Sequence, residues 1–328
     1  MPAHGFDLAY NGEKGGYHMR TKLTAVLMAF FLLLSLSAGM TPAFAAGTTR
    51  AQAKAQANAY HKHSLGLTSV ENARDLGGYT TKDGRRVKFG KLLRTGDLTN
   101  LSDRDANKLL KTCHVKKVVD FRSYRNILMD GQDRELAGVE YSHYPYSSMV
   151  NFFFSEAGFD LTKDIVTDLV QRDFNGRLIR EYFNEGYKAM YLTEDGIRMF
   201  RGFFDELLDA KGDTVLFHCV HGKDRTGNAT MLLLSALGVD KETIIADFML
   251  TNDYYVPERQ ENYDRAYKLT KSKTIAKDMS YLDGVSREWI ENSYDTIETH
   301  YGSVNNFLKN TIGLSEKDIQ KLQKAYLE

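Results

Sequence analysis

The chain of 328 residues holds two cysteines, four prolines and one tryptophan, and its 43 basic residues balance 43 acidic ones, so net charge is absent. Two cysteines allow one disulfide at most. With so few prolines, and neither low-complexity linkers nor repeats, the chain reads as one ordinary folded domain. The zero charge balance excludes a general field for nucleic acid or anionic membranes, so any recognition of anions must be local. Long hydrophobic runs are missing too. The apolar stretch from Leu23 to Leu36 falls short of the ~20 residues that a membrane-spanning helix requires. A hydrophobic content of 42% is present, which suffices for a sizeable core.

That apolar stretch carries a different message. Arg20 and Lys22 precede it, Gly39 and Pro42 end it, and Ala43-Phe44-Ala45 supplies the small-x-small pattern of a cleavage site. This is the design of a secretory signal peptide, with cleavage near Ala45/Ala46 and no stable membrane anchor. The first 18 residues fit neither a signal nor a fold. Codons for Glu13-Lys14-Gly15-Gly16 can contain a purine-rich ribosome-binding sequence at a suitable distance before Met19. Residues 1–18 are therefore expected to be an upstream extension, 19–45 the signal and 46–64 a flexible leader rich in Ala, Gln, Lys and His. Residues 65–328 form the expected folded domain. The product would be a bacterial protein that is secreted, extracellular or at the cell surface.

The chemistry is concentrated in residues 215–227, Val-Leu-Phe-His-Cys-Val-His-Gly-Lys-Asp-Arg-Thr-Gly. Val215-Leu216-Phe217 reads as a buried strand, and Gly227 to Leu237 as a buried helix ending at Gly238. The connecting loop then lies over a helix N-terminus, whose unpaired N–H groups and dipole favour a bound anion and the thiolate form of Cys219. Cys219 is placed to attack phosphorus in line, while the planar fork of Arg225 clamps two phosphoryl oxygens. Thr226 can hydrogen-bond the sulfur as it leaves, and His218 suits bracing better than base catalysis. Val220, His221, Gly222, Lys223, Thr226 and Gly227 complete the expected phosphate-binding loop. No metal or other cofactor is required.

His218-Cys219-x-x-Gly222-Lys223-Asp224-Arg225-Thr226-Gly227 resembles the active-site loop of the cysteine-dependent protein-tyrosine phosphatase superfamily. Asn72-Ala73-Arg74-Asp75-Leu76-Gly77-Gly78-Tyr79, Gly90 to Gly96, and Val118-Val119-Asp120-Phe121-Arg122-Ser123 narrow the resemblance to its bacterial tyrosine/serine and phosphoinositide phosphatases. Tyr301-Gly302-Ser303 and Ile312-Gly313-Leu314-Ser315 fit as well. The resemblance implies a three-layer α/β domain, a small, mostly parallel sheet flanked by helices with an inserted helical lid. It also implies phosphoprotein substrates, with phosphoinositides as a further class that Lys223 would serve by meeting a second phosphate. One departure is visible: the family usually carries an acidic residue soon after the Ser of its Asp-Leu-Arg-Ser motif. Here Phe121 follows Asp120, and Tyr124-Arg125-Asn126 follows Ser123.

Other readings compete with this one. A nucleotide P-loop needs Ser or Thr after Gly-Lys, and Asp224 stands there. A zinc site from His218, Cys219 and His221 lacks a second Cys/His cluster. Sulfur transfer fits poorly with Arg225-Thr226-Gly227 opening a helix, and a phosphate-binding interaction protein without catalysis is the rival from another class. For the proton donor, Asp224 is preferred because it sits beside the arginine, with Asp120 on the neighbouring strand as the alternative and Arg122 as loop support. Val115 to Phe121 is expected to lie beside the Val215 strand, which leaves Cys113 at the far end, about 20 Å from Asp120 and beyond disulfide reach of Cys219. Residues 147–210 and 241–328 read mainly as helices. Tyr182, Phe183, Tyr187, Met190 and Tyr191 are expected in the core, and the Phe152 to Phe154 cluster, with Phe159 nearby, at the lid.

Overall fold

A computed structural model of the chain describes residues 62–147, 165–172 and 177–328, all within one compact unit, Arg50–Glu328. The upstream extension, the signal peptide, most of the leader and the Phe152–Phe154 and Phe159 positions lie outside the described residues.

Five short strands, β1 (Arg74–Asp75), β2 (Leu92–Thr95), β3 (Val115–Asp120), β4 (Glu140–His143) and β5 (Thr214–His218), form one sheet in the order β1-β2-β5-β3-β4. Only the β1–β2 pair is antiparallel. β5 is central and buried throughout, which explains why its apolar residues run without alternation: both of its faces are covered. Alternation survives in where the side chains go. Val215 and Phe217 join Leu92 and Val119 in the larger core cluster, whereas Leu216 joins Leu93 and Val118 in the smaller one. The sheet thus separates two layers, giving the three-layer α/β architecture.

The thinner layer includes α1 (Asp103–Lys111), which adds Ala106 and Leu109 to the smaller cluster. It is followed by α2 (Tyr124–Asp130) after β3. Between β4 and β5 come α3 (Ile165–Arg172), α4 (Arg177–Leu192) and α5 (Glu194–Asp209), so the expected helical segment is helical where it is described. Its aromatic face is core: Tyr187, Met190 and Tyr191 are fully buried, and Phe183 stacks on Trp289 with ring centroids 4.1 Å apart. Tyr182 packs against this core from a partly buried position. After β5 follow α6 (Asp224–Leu237), α7 (Lys241–Tyr254), α8 (Val256–Thr270), α9 (Lys273–Met279) and α10 (Arg287–Tyr301). A short α11 (Val304–Asn306), a π-helical turn (Phe307–Ile312) and α12 (Glu316–Tyr326) complete the chain.

α6 begins three residues earlier than the apolar pattern suggests, at Asp224 instead of Gly227, and closes as expected at Gly238 in the left-handed conformation. The polar residues Asp224, Arg225 and Thr226 hid the first turn. Both cysteines are free, and Cys113 is half-buried just ahead of β3, at the end of the sheet opposite Cys219.

Candidate active site

The carboxyl ends of β2, β5 and β3 lie side by side, since Thr95 and Asp120 both pair in register with His218. This is the edge of an α/β sheet where ligands bind. Residues 219–223 leave it as a loop and return as α6. Lys223 occupies the N-cap of α6, and no side chain caps that helix, so the N–H groups of its first turn lack the partner that a Ser or Asp cap would supply. Cys219 lies at the floor with 1% of its surface exposed, and Arg225 in the first turn of α6 is also buried.

The loop is held open from outside by its carbonyls. Asp97 N–H donates to Val220 O (2.8 Å), the Asn72 amide to His221 O (3.1 Å) and Gly222 O (3.0 Å), Tyr255 OH to His221 O (2.8 Å) and Arg94 Nη2 to Gly222 O (2.7 Å). Because a trans peptide is planar, its N–H points away from its C=O. Anchoring these three carbonyls outward therefore turns the N–H groups of His221, Gly222 and Lys223 toward the inside of the loop. Gly222 makes the turn possible: its φ is +61°, and a Cβ there would lie 2.1 Å from Thr95 O.

Behind the loop, Asp247 on α7 bridges the two arginines of the quoted motifs. Arg74 Nε reaches its carboxylate at 3.1 Å and Arg94 Nη1 at 2.7 Å, and all three side chains are fully buried. Tyr79 OH donates to the same carboxylate at 3.0 Å. Burial would raise the Asp247 pKa, but the two guanidinium groups overcome it and hold the acid down at about 2.

A second network lies beneath His218. Its Nε2 is 3.0 Å from Asp133 Oδ2, off the axis of a good hydrogen bond, and its Nδ1 is 3.8 Å from Asp120 Oδ1. Arg122 links both acids, with Nη2 2.9 Å from Asp133 and 3.0 Å from Asp120, and its own N–H also donates to Asp120 Oδ1 at 2.8 Å. Burial opposes charge on His218, yet the two carboxylates outweigh it and raise its pKa to about 9. The imidazolium next to Cys219 adds positive charge beneath the loop. Asp120, Asp133 and His218 are also the one trio with metal-ligand proximity among the described residues, and the guanidinium and imidazolium already neutralise both carboxylates. A pKa raised in the folded state stabilises fully below the unfolded value, near 6.5, and that stability is lost as pH rises through about 9. The rise corresponds to roughly 3 kcal/mol at about 1.36 kcal/mol per pH unit. Urea denaturation from pH 6 to 10 is expected to show a decline of this order that flattens in His218→Gln, and parallel curves for the two proteins would refute it.

Arg225 is oriented by Asn126 and Phe121. Its Nη1 donates to Asn126 Oδ1 at 2.9 Å and to Phe121 O at 3.2 Å. Asn126 also closes the capping box of α2 with Ser123. The residue standing where an acid was expected thus holds the arginine by a neutral hydrogen bond.

The other expected site residues are placed as follows. Asp224 receives Tyr187 OH at 2.6 Å, with the Lys223 ammonium 3.8 Å away. Lys223 differs from its expectation: its ammonium is buried, donates to the carbonyls of Tyr281 (3.2 Å), Leu282 (2.6 Å) and Gly284 (3.1 Å) and lies over the Phe183 ring. It anchors the loop to the segment after α9, where the expectation had it meeting a second phosphate. Thr226 Oγ1 is buried without a partner, so its expected bond to sulfur is not made in this conformation. Gly227 lets Phe248 pack against α6, where a Cβ would approach within 2.9 Å.

A profile of the tyrosine phosphatase family matches residues 65–328. The chain belongs to the tyrosine phosphatase family. It is an enzyme, a protein-tyrosine phosphatase, which sets aside the reading as a non-catalytic phosphate-binding protein. A Cupriavidus necator protein, provisionally named as a tyrosine-protein phosphatase, is 28% identical over 282 residues, covering 84% of this chain and 93% of its own. The triple specificity protein phosphatase PtpB of Mycobacterium tuberculosis is 24% identical over 279 residues, 80% of this chain and 98% of its own. A tyrosine-protein phosphatase of Nostoc commune is 29% identical over 126 residues, 38% of this chain and 42% of its own.

Proposed function

We propose that the protein dephosphorylates phosphotyrosine in proteins through a cysteinyl-phosphate on Cys219. The observation that carries this reading is the pairing of a buried cysteine with Arg225 around a loop whose carbonyls are anchored outward. Cys219 Sγ attacks phosphorus, the bond from phosphorus to the phenolic oxygen breaks, and the departing oxygen takes a proton from Asp224. Water then attacks phosphorus, the S–P bond breaks, Asp224 recovers the proton from that water, and phosphate leaves. Arg225 and the inward N–H groups follow the charge on the equatorial oxygens throughout. A nucleophile this deep suits the long phenolic ester. The similarity to a triple specificity protein phosphatase supports a range wider than phosphotyrosine, in which we place phosphoserine and phosphothreonine. Phosphoinositides rank behind phosphoproteins. Lys223 is held by carbonyls, and a cavity of about 310 Å³ beside Val220 and His221 is lined by Glu71, Asp97 and Asp130, which repel additional phosphates.

Mass spectrometry after acid quench is expected to find phosphate on Cys219, and hydrolysis to survive EDTA and be blocked by vanadate. Loss of turnover on chelation would overturn the mechanism. Asp224 is assigned the proton because one hydroxyl and one more distant ammonium engage it, whereas Asp120 takes both side-chain and backbone donors of Arg122. Asp224→Asn should slow phosphotyrosine hydrolysis by about 100-fold and p-nitrophenyl phosphate far less, since the better leaving group needs little protonation. The opposite pattern, with leaving-group dependence in Asp120→Asn alone, would transfer the role. We also infer export through the signal at residues 19–45, and a mature N-terminus near Ala46 in culture medium tests it.

A further inference from the structure

The end of the sheet remote from the phosphate loop carries a different surface. Lys91 leads into β2, Lys211 and Gly212 lead toward β5, and α12 passes beside both. Between them opens a groove of about 430 Å³, within the usual size of small-molecule sites. Its accessible apolar lining comes from the partly buried Leu208 of α5 and Ala325 of α12, with the fully buried Leu207 and Leu322 beside them. Lysines 88, 91, 211, 321 and 324 make up half of the lining residues, and no carboxylate is among them. In a chain of zero net charge, that is a local concentration of positive charge with an apolar interior.

Two of these lysines are engaged. Lys88 donates to the carbonyls of Ala325 (2.9 Å) and Lys324 (3.3 Å), and Lys321 pairs with Asp318 at 2.9 Å. Lys91, Lys211 and Lys324 form no ion pair among the described residues. Asp209, whose carboxylate feels Lys211, is already held by Lys117 at 2.9 Å. The methylene stems of lysines can extend an apolar wall while their ammonium groups stay hydrated.

We propose that this groove is a second binding site, for a single-chain amphiphilic anion of the fatty carboxylate class. The alkyl chain would lie along Leu208 and Ala325, and the carboxylate would meet Lys91, Lys211 and Lys324. The recess argues against a bilayer, because Leu207 and Leu322 are fully buried and cannot project into lipid. β5 spans five residues, about 17 Å at roughly 3.3 Å each, so the groove and Cys219 are separate and a ligand here leaves the phosphate loop vacant.

Isothermal titration of the full-length protein with dodecanoate, kept below its aggregation concentration, tests the proposal. One saturable site is expected, weakened at least tenfold in the Lys91→Glu, Lys324→Glu double variant and separately in Leu208→Gln. KM and kcat for p-nitrophenyl phosphate should be unchanged in these variants. If the glutamate pair does not fold, Lys91→Gln with Lys324→Gln replaces it, with a smaller expected loss in the same direction. Equal binding by wild type and variants, equal binding of dodecyltrimethylammonium, or dodecanoate competing with p-nitrophenyl phosphate would each overturn it. Binding to phosphatidylglycerol vesicles without binding of monomeric dodecanoate would also overturn it, in favour of a membrane surface.

Discussion

Replacement of Cys219 by serine is expected to lower kcat for a phosphotyrosine peptide by more than about 10⁴-fold while leaving its affinity within about tenfold of wild type. The two readouts separate because different parts of the site control them. The outward anchoring of the Val220, His221 and Gly222 carbonyls does not involve the sulfur, and neither do the bonds from Arg225 to Asn126 and Phe121. On the proposed mechanism those groups would hold the phosphate in either protein. Attack, in contrast, needs an ionised nucleophile. His218, the α6 N-terminus and Arg225 place positive charge around the sulfur, whereas a serine hydroxyl would need a base, and Asp120 is bound to Arg122, His218 is itself protonated and Asp224 is the proposed proton donor to the leaving group. A 10⁴-fold loss is about 5.4 kcal/mol of barrier. Stopped-flow turnover and calorimetric peptide binding on the same samples check both halves. A serine variant within tenfold of wild-type kcat would show that Cys219 is not the nucleophile.

How much of this was readable in advance depends on the range of the interactions. β5 and the loop after it were legible because an uninterrupted apolar run, a glycine and an arginine six positions beyond a cysteine are local signals. The three layers were legible from resemblance, and the parallel neighbour of β5 from the valine-rich stretch ending at Asp120. The first turn of α6 was missed because helix periodicity carries no apolar signal through Asp224-Arg225-Thr226. The anchoring of Lys223 is hidden for a related reason: its three carbonyl partners come from residues 281–284, about 60 positions away, and nothing local announces them. Asn72 and Arg94 stood in the quoted motifs without a task until the fold put them behind the loop, with Arg74 beside them on Asp247. Tyr187 was legible only as core, and Tyr255 and Asp133 had no signal at all, but Asp247 had one. A lone acid in the run Ile244-Ile245-Ala246-Asp247-Phe248-Met249-Leu250 is a buried charge that demands a partner.

That partnership sets the second large effect. Asp247→Asn is expected to destabilise the fold by about 3 to 5 kcal/mol, since it leaves Arg74 and Arg94 fully buried with their shared counter-charge removed. For a domain of this size the melting temperature should fall by roughly 10 °C. The same change loosens the active site, because Arg94 carries Gly222 O at its other nitrogen. Activity measured well below the melting point should therefore drop with an increase in KM for phosphate esters, a readout that simple loss of folded protein would not give. Acid provides an independent check. The folded pKa of Asp247 is depressed to about 2 from an ordinary value near 3.8, so its stabilisation is present above pH 4 and lost as pH falls through about 2. Wild type should accordingly lose stability across that window more steeply than Asp247→Asn. A variant that melts within about 2 °C of wild type, with unchanged KM, would mean that the two guanidinium groups find other compensation and that Asp247 is not what holds the loop from behind.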